Sequence, residues 1–285
     1  MNYVYISHSL FGSVSKSFKP YFLDIKDDLQ KANINYTIEE YLSVALFTTI
    51  ITFVAENILL SFIFGLFISP ITAVFLSLTL SLTISGVIFF LFYSYPTTAS
   101  KSREKKINKL LPFSVSYLAT LSSTRLPPIF MFKTLSRFKE YGEIAEEAKN
   151  ITRNVEMFGM TFSSAIKRQT KRTSSREFKE LLWGINTVMM SGGDMTGFLK
   201  QKSDELMNDY RRRIRKYSQD LSLFVEIYLT LIITGSIFFI VLSSIISALQ
   251  AGVGTVTMQS FVVFIVLPLL SIGFIIVIKS ISPTD

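Results

Sequence analysis

Four apolar runs, each about as long as a bilayer-spanning helix, constrain this chain more than any other feature. They cover about residues 41–64, 71–93, 222–248 and 257–279. A bilayer core of about 30 Å is crossed by about 20 apolar residues in a helix. The sequence therefore predicts an all-α integral membrane protein with four transmembrane helices in two hairpins, residues 41–95 and residues 221–285.

A polar block, residues 96–220, separates the two hairpins and carries the excess positive charge. It holds 24 Lys and Arg against 13 Asp and Glu, a net charge of +11, while the rest of the chain has a net charge of −3. Basic residues stay on the cytoplasmic side of a membrane. Lys101, Arg103 and Lys105 at the end of the second run belong to this pattern. We expect the block and both termini in the cytoplasm, and the hairpin tips, 65–70 and 251–256, outside.

Residues 1–40 do not have the pattern of a secretory signal, because charged residues are scattered through their second half. Phe18, Phe22, Ile25 and Leu29 recur at helical spacing with charged residues between them. This pattern predicts one amphipathic helix of three or four turns in a cytoplasmic segment. It leaves open whether the helix packs on the central block or lies on the membrane surface.

Helical periodicity within the block predicts a bundle of about six short helices. The first is expected to begin at Leu111-Pro112, after a linker at 101–109, since Pro is well tolerated in a first helical turn. Glycines that permit tight turns separate later helices, and Asp194 is a natural cap for the sixth. The turn glycines are Gly159, Gly192 and Gly193. The sixth helix has no breaker before the third apolar run, which predicts one long helix from the bundle into the membrane.

The residues needed for most catalytic sites are missing. The chain has no Cys, which excludes Cys-ligated metals and thiol nucleophiles, and its one His, His8, excludes a metal site built from several His ligands within one chain. No phosphate-binding Gly-rich loop with a following Lys occurs. We predict no catalytic residue, no cofactor and no metal, and therefore a protein that is not an enzyme.

Two basic clusters are the candidate interaction surfaces. One sits beside the third run and suits topology determination, contact with anionic lipid and membrane-proximal coupling; it comprises Arg211, Arg212, Arg213, Arg215 and Lys216. The other lies far from any run in sequence and is either a solvated loop or a docking face for an acidic cytoplasmic protein; it comprises Lys167, Arg168, Lys171, Arg172 and Arg176. Aromatic residues do not alternate with these charges, so we expect no nucleic-acid partner.

Glu56 is the one acid deep within a predicted span, where an ionised carboxylate costs a few kcal/mol. Three roles are open: a relay or gate, a protonated donor of an interhelical hydrogen bond, or a residue close to the outer surface. The first of these supports an alternative function, a transporter or channel subunit that uses Glu56.

The order of local motifs resembles the type II secretion system F family, the platform proteins of type IV pili, archaella and tight-adherence systems. The resemblance covers about residues 111–245. It is carried by Leu111-Pro112, Leu118-Ala119, Gly159 with Phe162 and Ala165, and Ser191-Gly192-Gly193-Asp194 with Leu199. Two spans before the domain and two after it resemble the single-domain, archaeal form. Thr124-Arg125 stands where the family usually has a small residue and Gly, which leaves the shape of that turn open.

The resemblance implies a scaffold in the cytoplasmic membrane of a prokaryote. It implies that the platform couples a cytoplasmic hexameric ATPase to the assembly of pilin-like subunits. It also implies a homodimer, or a pair with a related platform chain. Under this interpretation the second basic cluster is the ATPase-docking face, and membrane lipid is a further partner.

Overall fold

A computed structural model describes residues 3–18, 22–249, 257 and 260–281 of the chain. Helices joined by short loops account for these residues, and no β-strand occurs among them. The prediction of an all-α protein is confirmed for this part of the chain.

The amino-terminal segment forms two helices, where the sequence predicted one. α1 (Tyr3–Phe18) packs along the first apolar helix, and the Ser43 hydroxyl donates a hydrogen bond to Ser15 Oγ at 3.0 Å. α2 (Leu23–Lys31) corresponds to the predicted amphipathic helix, with Ile25 and Leu29 buried. α1 was not predicted, because polar Ser residues interrupt its apolar pattern, and one of them, Ser15, contacts the first apolar helix.

The first two apolar runs form a helical hairpin. α3 (Ile38–Gly65) begins at a capping box in which Thr37 and Glu40 satisfy each other's backbone N–H groups. α4 (Pro70–Ser123) returns along it. Small residues at every fourth position of α4 are buried against α3: Ala73, Ser77, Ser81 and Ser85. Such a stripe lets two helix backbones approach closely within a membrane.

Side-chain hydrogen bonds reinforce that seam. The Asn57 amide donates to Ser81 Oγ at 3.2 Å, and the Ser61 and Ser77 hydroxyls are 2.6 Å apart. Hydrogen bonds between membrane helices are worth about 0.6–2 kcal/mol each. The hairpin is therefore specified by polar contacts as well as by apolar composition.

α4 does not end with the second apolar run. It continues through Pro96 and Pro112, both buried, as one helix of 54 residues. The expected linker at 101–109 and the expected helix start at Leu111-Pro112 are therefore wrong. A Pro costs a helix one backbone bond, and packing of the helix on both sides of each Pro offsets this loss.

The bundle is completed by α5 (Pro128–Leu135), α6 (Glu143–Glu156), α7 (Phe162–Arg172), α8 (Arg176–Ser191) and the start of α9 (Met195–Leu249), with a 3₁₀ turn at Lys139–Tyr141. Most residues of the predicted apolar stripes face inward, whereas Phe138 and Phe158 are exposed. Their buried members are Leu111, Val115, Leu118, Phe132, Leu135, Ile144, Ile151, Ile166, Phe178, Leu182 and Leu199. Thr161 and Ser175 cap α7 and α8 by accepting from the backbone N–H groups of Ser164 and Phe178.

α9 is uninterrupted over 55 residues, which confirms the prediction that the sixth bundle helix continues into the third apolar run. The chain divides into two compact units, residues 1–203 and 204–285. In the second unit, a π-helical turn (Val262–Val266) leads into α10 (Leu267–Ile281), and Tyr228 Oη of α9 lies 3.0 Å from Ser271 Oγ of α10. The predicted hairpin tip at 251–256 lies outside the described residues.

Among the residues that the structure describes, three helices are long and apolar enough to cross a membrane: Ile38–Gly65, Pro70–Ser123 and Met195–Ile245. A fourth apolar helix, Val263–Lys279, is shorter. The first three predicted spans thus have matching helices, whereas part of the fourth predicted span, at 258–259, lies outside the described residues.

Candidate docking and coupling surfaces

The structure divides the second basic cluster between α7 and the start of α8, and we call it the α7 cluster because four of its five residues lie on α7. Ala165, Ile166 and Gln169 point into the bundle, which leaves Lys167, Arg168 and Lys171 exposed and Arg172 half-buried. Arg176 begins α8 and pairs with Glu180 at 3.0 Å, with both side chains exposed. The five predicted docking cations therefore do not form one continuous patch of unpaired charge.

Three of these cations line a cavity of about 740 Å³ within the first unit. Its other walls come from α2 and from the segment that leads into α3. The full lining is Lys26, Leu29, Gln30, Ile34, Asn35, Tyr36, Thr37, Ile38, Glu39, Arg168, Lys171 and Arg172. The cluster is thus close to the beginning of α3, although it is far from every apolar run in sequence. Local periodicity could not reveal this, because the proximity depends on α2 packing against both α4 and α7.

A buried ion-pair node ties four elements of the first unit together. Arg103 of α4 is 5% exposed and contacts Glu143 at 2.8 Å and Glu147 at 2.8 Å, both on α6. Its Nη1 also donates to the Lys31 carbonyl at the end of α2, at 3.0 Å. The Glu147 carboxylate accepts a hydrogen bond from the Gln169 amide of α7. α2, α4 and α6 therefore meet at one guanidinium group, and α7 joins them through the Glu147 carboxylate.

The guanidinium of Arg103 and the carboxyl of Glu147 are both buried at this node. Burial raises the pKa of the Glu147 carboxyl above its usual value, and the Arg103 guanidinium acts in the opposite direction. Sequence reasoning missed the node because Arg103 was one of several topology-determining cations and Glu143 and Glu147 suited the first turns of a helix. Their spacing of four residues, which puts both carboxylates on one face of α6, was the available signal.

The predicted turns fall where the sequence placed them. Gly159 and Gly192 have φ values of +64° and +68°, in the left-handed region that favours Gly. Asp194 Oδ1 accepts from the Thr196 backbone N–H at 3.0 Å, as expected of a helix cap. Gly184 was missed: a Cβ at this position would lie 2.2 Å from the Phe198 ring, so Gly permits the close contact between α8 and α9.

The turn at Thr124-Arg125 keeps a backbone conformation that suits Gly. Arg125 has φ +56° and follows directly after the end of α4. A left-handed conformation costs a non-Gly residue roughly 1–2 kcal/mol. This turn thus keeps the left-handed conformation, although Arg125 stands where the family usually has Gly.

The membrane-proximal cluster of α9 is exposed. The cluster lies within about three turns of the third apolar run, and Arg212 forms an ion pair with Asp209; its members are Arg211, Arg212, Arg213, Arg215 and Lys216. Exposure of this kind is compatible with lipid contact, since cations next to a bilayer attract anionic headgroups by about 1 kcal/mol each. Contact of these residues with lipid stays a prediction.

Glu56 is half-buried on α3, and its Oε2 atom has no hydrogen-bond partner among the described residues. The interhelical hydrogen bond in this part of the hairpin comes from the adjacent Asn57. The described residues contain no group of three His, Asp or Glu side chains that could hold a metal ion.

Comparison with known proteins agrees with this architecture. Residues 115–243, from the bundle part of α4 to the apolar part of α9, match the family described as type II secretion system (T2SS), protein F. The resemblance drawn from the motifs is therefore confirmed over this stretch of the chain, which is similar to protein F.

Three relatives come from methanogenic archaea. An uncharacterized protein of Methanocaldococcus jannaschii is 25% identical over 199 residues, 67% of this chain and 33% of the relative. Proteins named flagella accessory protein J are 28% identical, over 184 residues in M. jannaschii (64% of this chain, 32% of the relative) and over 192 in Methanococcus voltae (67% and 34%). The chain spans about a third of the length of these relatives. No solved structure gives a significant match.

Proposed function

We propose that this chain is a platform protein of an archaellum-like or type IV pilus-like assembly machine in a prokaryotic cytoplasmic membrane. Its role is to couple a cytoplasmic hexameric ATPase to the insertion of pilin-like subunits. The protein F domain and the two relatives named flagella accessory protein J support this role. Its coupling is mechanical, and the energy comes from ATP bound by the partner.

The observation that carries the proposal is the continuity of two helices. α4 contains the second apolar run and continues into the core of the bundle. α9 begins in the bundle and continues through the third apolar run. At 1.5 Å per residue, each helix is about 80 Å long. A helix without a break transmits displacement along its axis, so a force applied to the bundle reaches the apolar segments through these two rods.

The membrane arrangement that suits this role has two spans before the bundle and two after it. Both termini and the bundle lie in the cytoplasm, and the loop after α3 lies outside. The loop 66–69 contains no charged residue, which is compatible with translocation. Exposed apolar side chains along α9 and α10, such as Phe238 and Ile275, face lipid or a second platform chain. We propose that the latter contact forms a homodimer or a pair with a related chain.

The ATPase-docking face is proposed at the α7 cluster and the start of α8. Lys167 and Arg176 lie outside the cavity lining, so they report on this contact separately from Arg168, Lys171 and Arg172. A complementary acidic surface on the ATPase raises the association rate and contributes modest affinity.

Reversing charge with Lys167→Glu and Arg176→Glu together should weaken ATPase binding about tenfold at low salt, and by less as salt screens the contact. The measurement is the equilibrium binding of the purified ATPase to the full chain in an uncharged detergent, over a series of salt concentrations. The matched control is Lys133→Glu with Lys139→Glu, two cations elsewhere in the bundle. Equal affinity of the variant and the wild type at low salt would remove this docking face.

The transport alternative rests on Glu56 alone. The unpartnered Oε2 atom is the one structural observation in its favour. The polar contacts around it, Asn57 to Ser81 and Ser61 to Ser77, hold α3 and α4 together. A packing role for this stretch is therefore favoured over an ion pathway.

A further inference from the structure

The cavity beside α7 has the size of a ligand site. Its volume of about 740 Å³ falls within the range of roughly 300–1,000 Å³ common for small-molecule sites. Its walls come from α2, from the segment 34–39 and from α7. Residues distant in sequence therefore enclose one space, which the platform role does not explain.

The charge in the lining favours an anion. Four cations, Lys26, Arg168, Lys171 and Arg172, face a single carboxylate, Glu39. Within the part of the chain that the structure describes, Lys26 and Lys171 form no ion pair, and the hydrogen bond of Arg168 goes to Met160 Sδ, at 3.7 Å. Unpaired cations that converge on one concave space attract phosphate, and Arg is especially suited to it.

The position of the cavity indicates where the anion comes from. Thr37 and Ile38 in its wall begin α3, and the apolar run of α3 starts at Tyr41, about 4.5 Å further along the helix axis. The headgroup layer of a bilayer is about 5–7 Å thick on each side. The cavity thus lies at headgroup depth if α3 spans the membrane.

The cavity also offers apolar surface next to the cations. Ile34 and Tyr36 belong to the lining, and Tyr36 is 50% exposed, whereas the lining residues Leu29 and Ile38 are buried behind them. A free inorganic anion has no apolar group to bury against such a surface. A lipid brings a charged phosphodiester group together with an apolar part, which matches both kinds of wall.

We propose that this cavity binds the phosphodiester headgroup of an anionic phospholipid from the leaflet on the bundle side. Lys26 of α2 and Lys171 and Arg172 of α7 hold the phosphate, and the apolar wall receives the glycerol end. The lipid joins the amino-terminal segment to the bundle at the point where α3 enters the membrane. The site shares Lys171 and Arg172 with the proposed ATPase-docking cluster, and Lys26 lies outside that cluster, so lipid binding is measured with no ATPase present.

Lipid retention by the purified full chain tests the proposal, with no ATPase present. The chain is held in mixed micelles with equal amounts of phosphatidylglycerol and phosphatidylcholine, and bound lipid is counted by native mass spectrometry. We expect selective retention of phosphatidylglycerol. Lys26→Glu with Lys171→Glu should lower its apparent affinity by about tenfold or more, since each cation near a headgroup contributes measurably. Lys26→Gln with Lys171→Gln should act in the same direction if the reversed pair disturbs folding.

The matched control is Lys139→Glu with Lys179→Glu, two exposed cations of the bundle outside the cavity lining, which should retain lipid like the wild type. Inorganic phosphate added as a competitor distinguishes the two sources of the anion. We expect it not to displace phosphatidylglycerol at concentrations far above that of the lipid. Equal retention of both lipids, an equal loss in the control pair, or complete displacement by inorganic phosphate would each overturn the proposal.

Discussion

Replacing Arg103 with Met should lower the free energy of unfolding of the bundle by about 3–5 kcal/mol, the range for breaking a buried ion pair from one side. Met keeps the long apolar stem and removes the guanidinium. Glu147 would then be fully buried without its cation, and the Lys31 carbonyl would lose a donor. The fluorescence of Trp183, the single Trp of the chain, reports unfolding of the bundle in denaturant.

The control for this experiment is an exposed ion pair of the same bundle. Lys133 and Glu156 are 2.6 Å apart, but both side chains are more than a third exposed. Lys133→Met should therefore cost less than about 1 kcal/mol. A loss for Arg103→Met no larger than that of the control would show that the node does not hold the bundle together.

Replacing Arg213 with Pro should abolish filament assembly while leaving the bundle folded. Arg213 is exposed on α9 between the bundle and the third apolar run, so its side chain supports no core contact. Pro removes one backbone bond, clashes with the preceding turn and kinks a helix at a cost of about 3 kcal/mol. Filaments are counted by electron microscopy in cells whose native copy is replaced by the variant.

Arg213→Ala distinguishes the effect of breaking α9 from the effect of removing the positive charge. It removes the same cation and preserves α9, because Ala is the best helix former. We expect filaments at near-normal numbers for the Ala variant and none for the Pro variant, with equal amounts of both proteins in the membrane. Normal filaments with Pro would contradict transmission through α9, whereas equal loss with Ala would assign the effect to charge.

Much of the architecture follows from local pattern. Apolar length predicted α3 and the apolar parts of α4 and α9, because a bilayer sets the length of a helix that can cross it. Helical spacing predicted the inward faces of α6 and α8 through residues such as Ile144, Ile151 and Phe178. The turns at Gly159 and Gly192 were predictable because few other residues accept a positive φ.

Features that depend on tertiary contact were not predictable. A linker at 101–109 and a helix start at Leu111-Pro112 were predicted, yet α4 is continuous through both Pro96 and Pro112. Arg103 has the same local surroundings in sequence as its basic neighbours, and only the folded chain brings Glu143 and Glu147 to it. The cavity had no local signal in the sequence, since Lys26 and Lys171 are 145 residues apart along the chain.

Sidedness is the most direct test of the central claim that the bundle is the cytoplasmic part on which a motor acts. The chain has no Cys, so one introduced thiol is labelled without background. Lys179→Cys places a thiol on the exposed face of α8, and Ser69→Cys places one in the loop after α3. An impermeant maleimide added to intact cells should label the Ser69→Cys protein alone, and inverted vesicles should show the opposite. Labelling of the Lys179→Cys protein in intact cells would contradict the account.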